Sequence, residues 1–249
     1  MAQKYKIICK CAKKLVLLHT FLDNMSILSL DTTTSVCSAS LVNDKEVIGA
    51  FHSFEGHNHA AALPQMVEQL LSLLHEREES LDAVVLSEGP GSYTGLRIGA
   101  SFAKGLCYGL QIPLIPVSTL DLLVWTAQAA GVTPAYWVPM IDARRMEVYT
   151  EVYGVTPPVA KVIDTKETLE QLCPNTDMPI YYFGDGAAKC QKILAGERFR
   201  FIEGVYPNTD VVMPHLADCK KLTDKDIAYY EPFYLKNFQA APAHVKGLN

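Results

Sequence analysis

From Met25 onward the apolar positions come in short blocks whose period changes along the chain, sheet-like at first and helical afterwards. Ile27–Leu30, Val36–Val42 and Glu46–Phe51 have the compact, β-branched character of strands, and Asn43-Asp-Lys supplies the hairpin turn between the last two. A helix is predicted from about Ala60 to Glu76, with Pro64 tolerated in its first turn. Asp82–Ser87 reads as a buried strand, Gly89–Gly95 as a glycine-rich turn, Arg97–Leu110 as a second helix and Ile112–Val117 as a strand. Ser118 then caps a helix running from Thr119 to about Ala130. Beyond it, Tyr136–Ile141, Glu147–Tyr153 and Val159–Ile163 are strand-like, Thr165–Cys173 is a short helix, and Ile180–Phe183 is a strand entering Gly184-Asp-Gly186. Three meandering strands followed by alternating helix and strand predict an α/β chain with mixed sheets flanked by helices. The pattern starts again after Gly131, so two ribonuclease-H-like lobes are expected, residues 25–130 and a less regular 131–249.

The two long helices carry more apolar surface than such a layout requires. Placed at about 100° per residue, Leu63, Val67, Leu70 and Leu74 form one stripe, which Leu71, Met66, Leu73 and Ala62 widen to about 180°. On the second helix Gly99, Leu106, Phe102 and Ile98 extend the stripe of Leu96, Ala100, Ala103, Cys107 and Leu110 to about 200°. A helix with its back in water needs only a little over 100°. Gly95, Gly99 and Gly109 share one flank, where missing side chains admit another backbone, although a mid-helix glycine costs about 1 kcal/mol against alanine. Two readings stand level: the flanks are buried against each other or against the second lobe, or they form a protein interface through Met66, Leu70, Leu73, Gly95, Ile98, Gly99 and Phe102. The second predicts that Met66, Leu73, Ile98 and Phe102 are partly exposed in a lone copy.

The chain has 249 residues, is 49% hydrophobic and 20% charged, and carries a formal charge of −5. That length buries a core without disulfides or metal, and the composition excludes disordered, collagen-like and disulfide-framework proteins. Mild acidity means that a nucleic-acid partner would be held by a local patch or by another subunit. No apolar run reaches the roughly 18 residues of a membrane helix. The seven scattered cysteines, with no C-x-x-C, fit reduced thiols and a cytoplasmic location. Residues 1–24 differ from the rest: five lysines precede the short apolar stretch Leu15–Leu22, which His19 breaks. They read as a loose or non-native extension ahead of a start at Met25, with a signal peptide or an extra helix as alternatives.

Candidate chemistry is sparse. Asp31-Thr32-Thr33-Thr34 closes the first strand, where its oxygens either hold a ligand or satisfy turn backbone. Gly89-x-Gly91-x-x-x-Gly95 lies between a strand and a helix, as anion cradles do, but lacks the G-x-G-x-x-G spacing and the P-loop lysine. Gly184-Asp185-Gly186 is a second glycine turn, suited to a nucleotide or to a plain bend. His57-Asn-His59 offers two imidazoles, but a metal would need a third ligand from elsewhere. Neither H-E-x-x-H nor G-x-S-x-G occurs.

Taken together, Ile27–Thr34, Ser87–Ala100, Val117–Asp121, Ile141–Tyr149 and Pro232–Lys236 resemble the TsaB (YeaZ) family, from Met25 to about Lys236. The resemblance implies an actin-like ATPase (ASKHA) fold of two ribonuclease-H-like lobes. It implies a role in forming threonylcarbamoyladenosine (t6A) beside the anticodon of tRNAs that read ANN codons, as a non-catalytic scaffold that binds and stabilises TsaD. The implied partners are TsaD as a heterodimer, TsaE in the assembled complex, tRNA only through the complex, a second copy of the chain when TsaD is absent, and no membrane. TsaD has a His-Met-Glu-Gly-His metal motif where this chain has Val117-Ser-Thr-Leu-Asp121, so no metal ligand and no catalytic residue is expected here. Asp31, Thr32, Thr33, Gly184, Asp185 and Gly186 are left as the positions for a weakly held nucleotide at the subunit junction, with no tightly bound cofactor. The other reading is a metal-dependent peptidase or phosphotransferase of the same fold. Lys236 stands where the family more usually has arginine.

Overall fold

A computed structural model describes residues 25–56, 58–131, 135–162 and 166–236. The expectations for residues 1–24, for His57 and for Val132–Pro134 lie outside the described residues.

The first sheet holds β1 (Ile27–Asp31), β2 (Cys37–Val42), β3 (Val47–Ser53), β4 (Ala83–Gly89) and β5 (Leu114–Ser118) in the order β3-β2-β1-β4-β5. β1 pairs antiparallel with β2 and parallel with β4, and β4 pairs parallel with β5. The second sheet holds β6 (Tyr136–Asp142), β7 (Glu147–Thr150), β8 (Val159–Val162), β9 (Ile180–Phe183) and β10 (Phe199–Ile202) in the order β10-β9-β6-β7-β8. Here β6 is antiparallel to β7 and parallel to β9, which is parallel to β10. Each half therefore repeats one plan: a three-strand meander whose first strand also receives two parallel strands on its other side. A parallel neighbour needs a crossover, and α1 (His59–Glu76) and α2 (Tyr93–Leu110) provide both in the first half.

Side chains alternate along the central strands as period two demands. Leu28, Leu30, Val84 and Leu86 face the core shared with α1 and α2, whereas Ile27, Ala83 and Val85 face the opposite core. That second core receives Leu122 and Trp125 from α3 (Thr119–Ala129). The same helix offers Leu120, Leu123, Val124 and Ala127 to Trp137, Ile141 and Phe183 of the second sheet. A helix apolar all round is a buried one, and α3 serves both sheets at once. The far face of the second sheet is closed by Leu169 of α4 (Lys166–Leu172) together with Cys173, Cys190 and Leu194. The five described cysteines form no disulfide, and no described helix is long and apolar enough to cross a membrane.

The element boundaries shift for identifiable reasons. α2 starts at Tyr93 instead of Arg97, because Ser92 is the cap and its hydroxyl accepts from the Gly95 amide at 3.4 Å. Pro64 stands in the second turn of α1, not the first. The carbonyl it deprives of a helical donor belongs to exposed Ala60, which water can serve. β10 is absent from the expected strands. At the other end, α5 (Lys225–Ala228) leads into a strap, Glu231–Lys236. The Phe233 amide donates to the Glu88 carbonyl at 2.7 Å, and the Lys236 ammonium pairs with Glu147. The strap therefore touches β4 of the first sheet and β7 of the second.

Candidate functional site

The loop after β1 is closed on itself. Asp31 is 0% exposed, and its two carboxyl oxygens accept from the Thr33 amide at 3.2 Å and the Thr33 hydroxyl at 2.8 Å. The Thr32 hydroxyl donates to the Gly95 carbonyl at 2.7 Å, and the Thr33 carbonyl accepts from the Ser92 amide at 2.7 Å. The His59 ring nitrogen Nε2 lies 2.8 Å from the Thr34 carbonyl, so this imidazole pins the loop to the start of α1. Thr32, Thr33 and Thr34 are all buried; only Ser35 emerges. Of the amides expected to cradle an anion at the start of α2, that of Ser92 is thus taken by the Thr33 carbonyl and that of Gly95 by the Ser92 hydroxyl.

The second half answers with an equivalent turn. Asp142 ends β6 as Asp31 ends β1, and its amide donates to the Asp185 carboxylate at 3.0 Å. Gly184 has φ +102°, and a Cβ there would lie 2.3 Å from the Met140 carbonyl, so only glycine lets the turn after β9 sit on β6. Lys189 pairs with Asp142 and also donates to the Glu147 carbonyl at 2.7 Å. The two turns approach each other: Ser35 reaches the Asp185 carboxylate through its backbone, and Asp185 adds a negative field at Asp31. The structure therefore gathers Asp31 and Asp185 at one junction. Thr32 and Thr33, however, are committed inward, and Gly186 is pressed against Ile141 and Asp142. A ligand arriving at this junction meets Ser35, Asp142 and Asp185 first. Among the described residues no group of three His, Cys, Asp or Glu side chains is arranged to hold a metal ion.

Burial, with a smaller contribution from Asp185, pushes the Asp31 carboxyl up to about 7 against the pull of its Thr33 hydrogen bonds. Sequence reasoning missed a second such group. Glu151, just beyond β7, is buried and is likewise pushed up to about 7, with Asp121 adding to the effect. Its neighbours Thr150 and Val152 are buried too, so no alternation flags it. Below about pH 4 both carboxyls are protonated in the folded and the unfolded chain. Between there and 7 the folded chain holds protons that the unfolded chain has released, so stability falls as the pH rises. The chain is expected to melt higher at pH 5 than at pH 8. Asp31→Asn should flatten that slope in thermal melts across the range; an unchanged slope would remove Asp31 from the account.

The outer faces of α1 and α2 partly match the expected interface. Leu73, Ile98, Phe102 and Leu106 are half-buried on the rim of the first core, and Tyr108 and Leu110 beyond them are exposed. Four expected positions are corrected. Met66 and Leu70 are 8% and 0% exposed, because the five-stranded sheet is wide enough to reach under both edges of α1. At β3 the bare Gly49 lets the Leu70 and Leu73 side chains come down to it, within 2.9 Å of where its Cβ would stand. Gly95 and Gly99 are also inside. A Cβ on Gly95 would stand 1.9 Å from the Thr32 carbonyl, and one on Gly99 2.5 Å from the Thr32 hydroxyl. Their bareness serves the chain's own loop. Gly105 and Gly109, by contrast, have nothing within 4 Å of a Cβ position and lie on the open side of the helix.

The comparisons with known proteins agree with this architecture. The sequence model of one family, described as TsaD, tRNA N6-adenosine threonylcarbamoyltransferase, matches residues 53–229, well over half of the chain. The tRNA threonylcarbamoyladenosine biosynthesis protein TsaB of Escherichia coli K12 is 38% identical over 130 residues, 52% of this chain and 55% of that protein. The protein of the same name from Bacillus subtilis 168 is 34% identical over 129 residues, again 52% of this chain and 55% of that protein. The chain thus spans about half the length of the curated relatives it matches. The solved structure of YeaZ from Pseudomonas aeruginosa superposes with a TM-score of 0.65 at 22% identity, covering 85% of this chain and 100% of that one, which shows a shared fold. With the repeated strand plan and the family match in hand, the chain belongs to the TsaD family, and over about half of their length it is similar to the TsaB proteins.

Proposed function

We propose that the chain is a non-catalytic scaffold subunit in t6A modification of tRNA, binding and stabilising TsaD through the outer faces of α1 and α2. The observation that carries this reading is the rim of Leu73, Ile98, Phe102 and Leu106, half-exposed apolar side chains next to the bare Gly105 and Gly109. An apolar rim beside helix positions with no side chain suits a second helix pair approaching closely, and aromatic anchors such as Phe102 dominate the energy of such contacts. Family membership and the names of the TsaB relatives support the pathway. The non-catalytic part draws on Val117–Asp121, which offers no histidine, and on the inward commitment of the Asp31 loop. The modified position next to the anticodon of ANN-decoding tRNAs belongs to the same proposal. Light scattering on a mixture with TsaD tests it. One species with the mass of one copy of each is expected, and two proteins that elute independently would overturn the reading.

A further inference from the structure

Away from the TsaD-facing rim, α2 borders a groove of about 330 Å³, at the lower end of the range of ligand pockets. Its walls are Tyr93, Arg97, Ser101 and Lys104 of α2 on one side and Tyr230, Glu231, Pro232 and Tyr234 on the other. At about 100° per residue, Arg97 and Lys104 lie roughly 140–160° around the helix from Phe102, so groove and rim are different faces.

The lining combines aromatic rings with cations. The Tyr93 and Tyr234 rings lean together, 5.2 Å between centres and 37° between planes, and Tyr234 remains 38% exposed. The Arg97 guanidinium sits 5.6 Å from the centre of the Tyr93 ring and donates to its hydroxyl at 3.0 Å. Among the described residues no carboxylate comes within ion-pair distance of Arg97. The Lys104 ammonium donates to the Ala228 and Tyr230 carbonyls at 2.8 and 3.0 Å, which fixes it at the groove wall with a donor to spare. Glu231 is the one carboxylate among the lining residues. Tyr230 is 9% exposed and joins the groove to the first core. On a chain of net charge −5, a rim with two cations to one anion is a local reversal of sign.

We propose that this groove binds a nucleoside phosphate, free or within a single RNA strand, with the base stacked on Tyr234 and the phosphate on Arg97 and Lys104. Aromatic platforms flanked by arginine and lysine hold single-stranded nucleic acid in this way, because every base has a face to stack and every linkage a charge. For the function proposed above, such a groove gives this chain its own contact with the tRNA, although it does not depend on TsaD capture.

Fluorescence anisotropy with a short labelled single-stranded RNA tests the proposal on the full chain, with AMP and inorganic phosphate as competitors. Binding at low salt is expected. Tyr234→Ala should weaken it roughly ten-fold. Arg97→Gln should weaken it similarly and reduce the slope against log salt by about 0.7, the share of one phosphate on a single strand. Both variants should keep the wild-type circular dichroism, and Phe102→Glu, on the other face, should bind RNA normally. Displacement by AMP would identify a free nucleotide as sufficient. RNA binding that AMP cannot displace, but that both variants weaken, would identify the strand. No binding at low salt, equal binding by the wild type and both variants, or competition by phosphate equal to that by AMP would overturn the proposal.

Discussion

Phe102→Glu is expected to abolish co-purification with TsaD while leaving the melting temperature and circular dichroism of the free chain nearly unchanged. Phe102 packs only partly on the first core, so a glutamate at that position can turn its carboxylate to water, and glutamate is a good helix former. In the proposed complex a partner would cover this position and seal the carboxylate off without a counter-charge. Removing an aromatic anchor costs about 2–4 kcal/mol, and an uncompensated buried charge adds about 3–5 kcal/mol. Every 1.4 kcal/mol is roughly a factor of ten, so affinity should drop at least 100-fold. Capture that survives the substitution would place the interface elsewhere.

The second large effect comes from one substitution made at two positions. Gly95→Ala should destabilise the chain by about 3 kcal/mol or more, since a Cβ 1.9 Å from the Thr32 carbonyl forces two backbone segments apart. The lost contacts would include the Thr32–Gly95 bond and the Thr33–Ser92 bond that orders the Asp31 loop. Gly105→Ala, ten residues along the same helix, meets nothing within 4 Å and should stabilise the free chain by up to about 1 kcal/mol. Urea melts of both variants read the two signs directly. A neutral Gly95→Ala would mean that the loop and the helix are not in register as described. A chain that keeps Gly105 at such a position forgoes available stability, as expected where a partner's backbone comes close.

Much of the fold is legible in the sequence because the strands are short, β-branched and punctuated. The meander Ile27–Phe51 and the buried run Asp82–Ser87 fix a mixed sheet before any contact is known. β10 escaped because Phe-Arg-Phe-Ile is four residues with a charge in the middle, paired only along β9. The start of α2 escaped because Gly91 and Gly95 read as loop, and the hydroxyl of Ser92 that caps the helix sits among them. In the candidate site, arc counting marks the surplus apolar surface on α1 and α2 but cannot say how far the sheet extends beneath it. Leu70 and Leu73 both reach down to Gly49 of β3, yet Leu70 is fully covered and Leu73 only partly, a difference that arc counting does not resolve. A helix glycine is similarly ambiguous, since it admits a backbone from the same chain or from another. Thr32 settles Gly95 and Gly99 as intramolecular, and open space leaves Gly105 and Gly109 for the outside. The elevated carboxyl of Asp31 and that of Glu151 depend on enclosure by segments distant in sequence, which no local pattern encodes.

The strap over Glu231–Lys236 is stitched to β4 by the Phe233 amide and to β7 by Lys236. Both sheets leave the ribosome before it does, and halves of this kind tend to fold as they emerge. The strap is made after both of them, so a nascent chain arrested just short of it would hold two sheets already joined through α3 but lacking this second fastening.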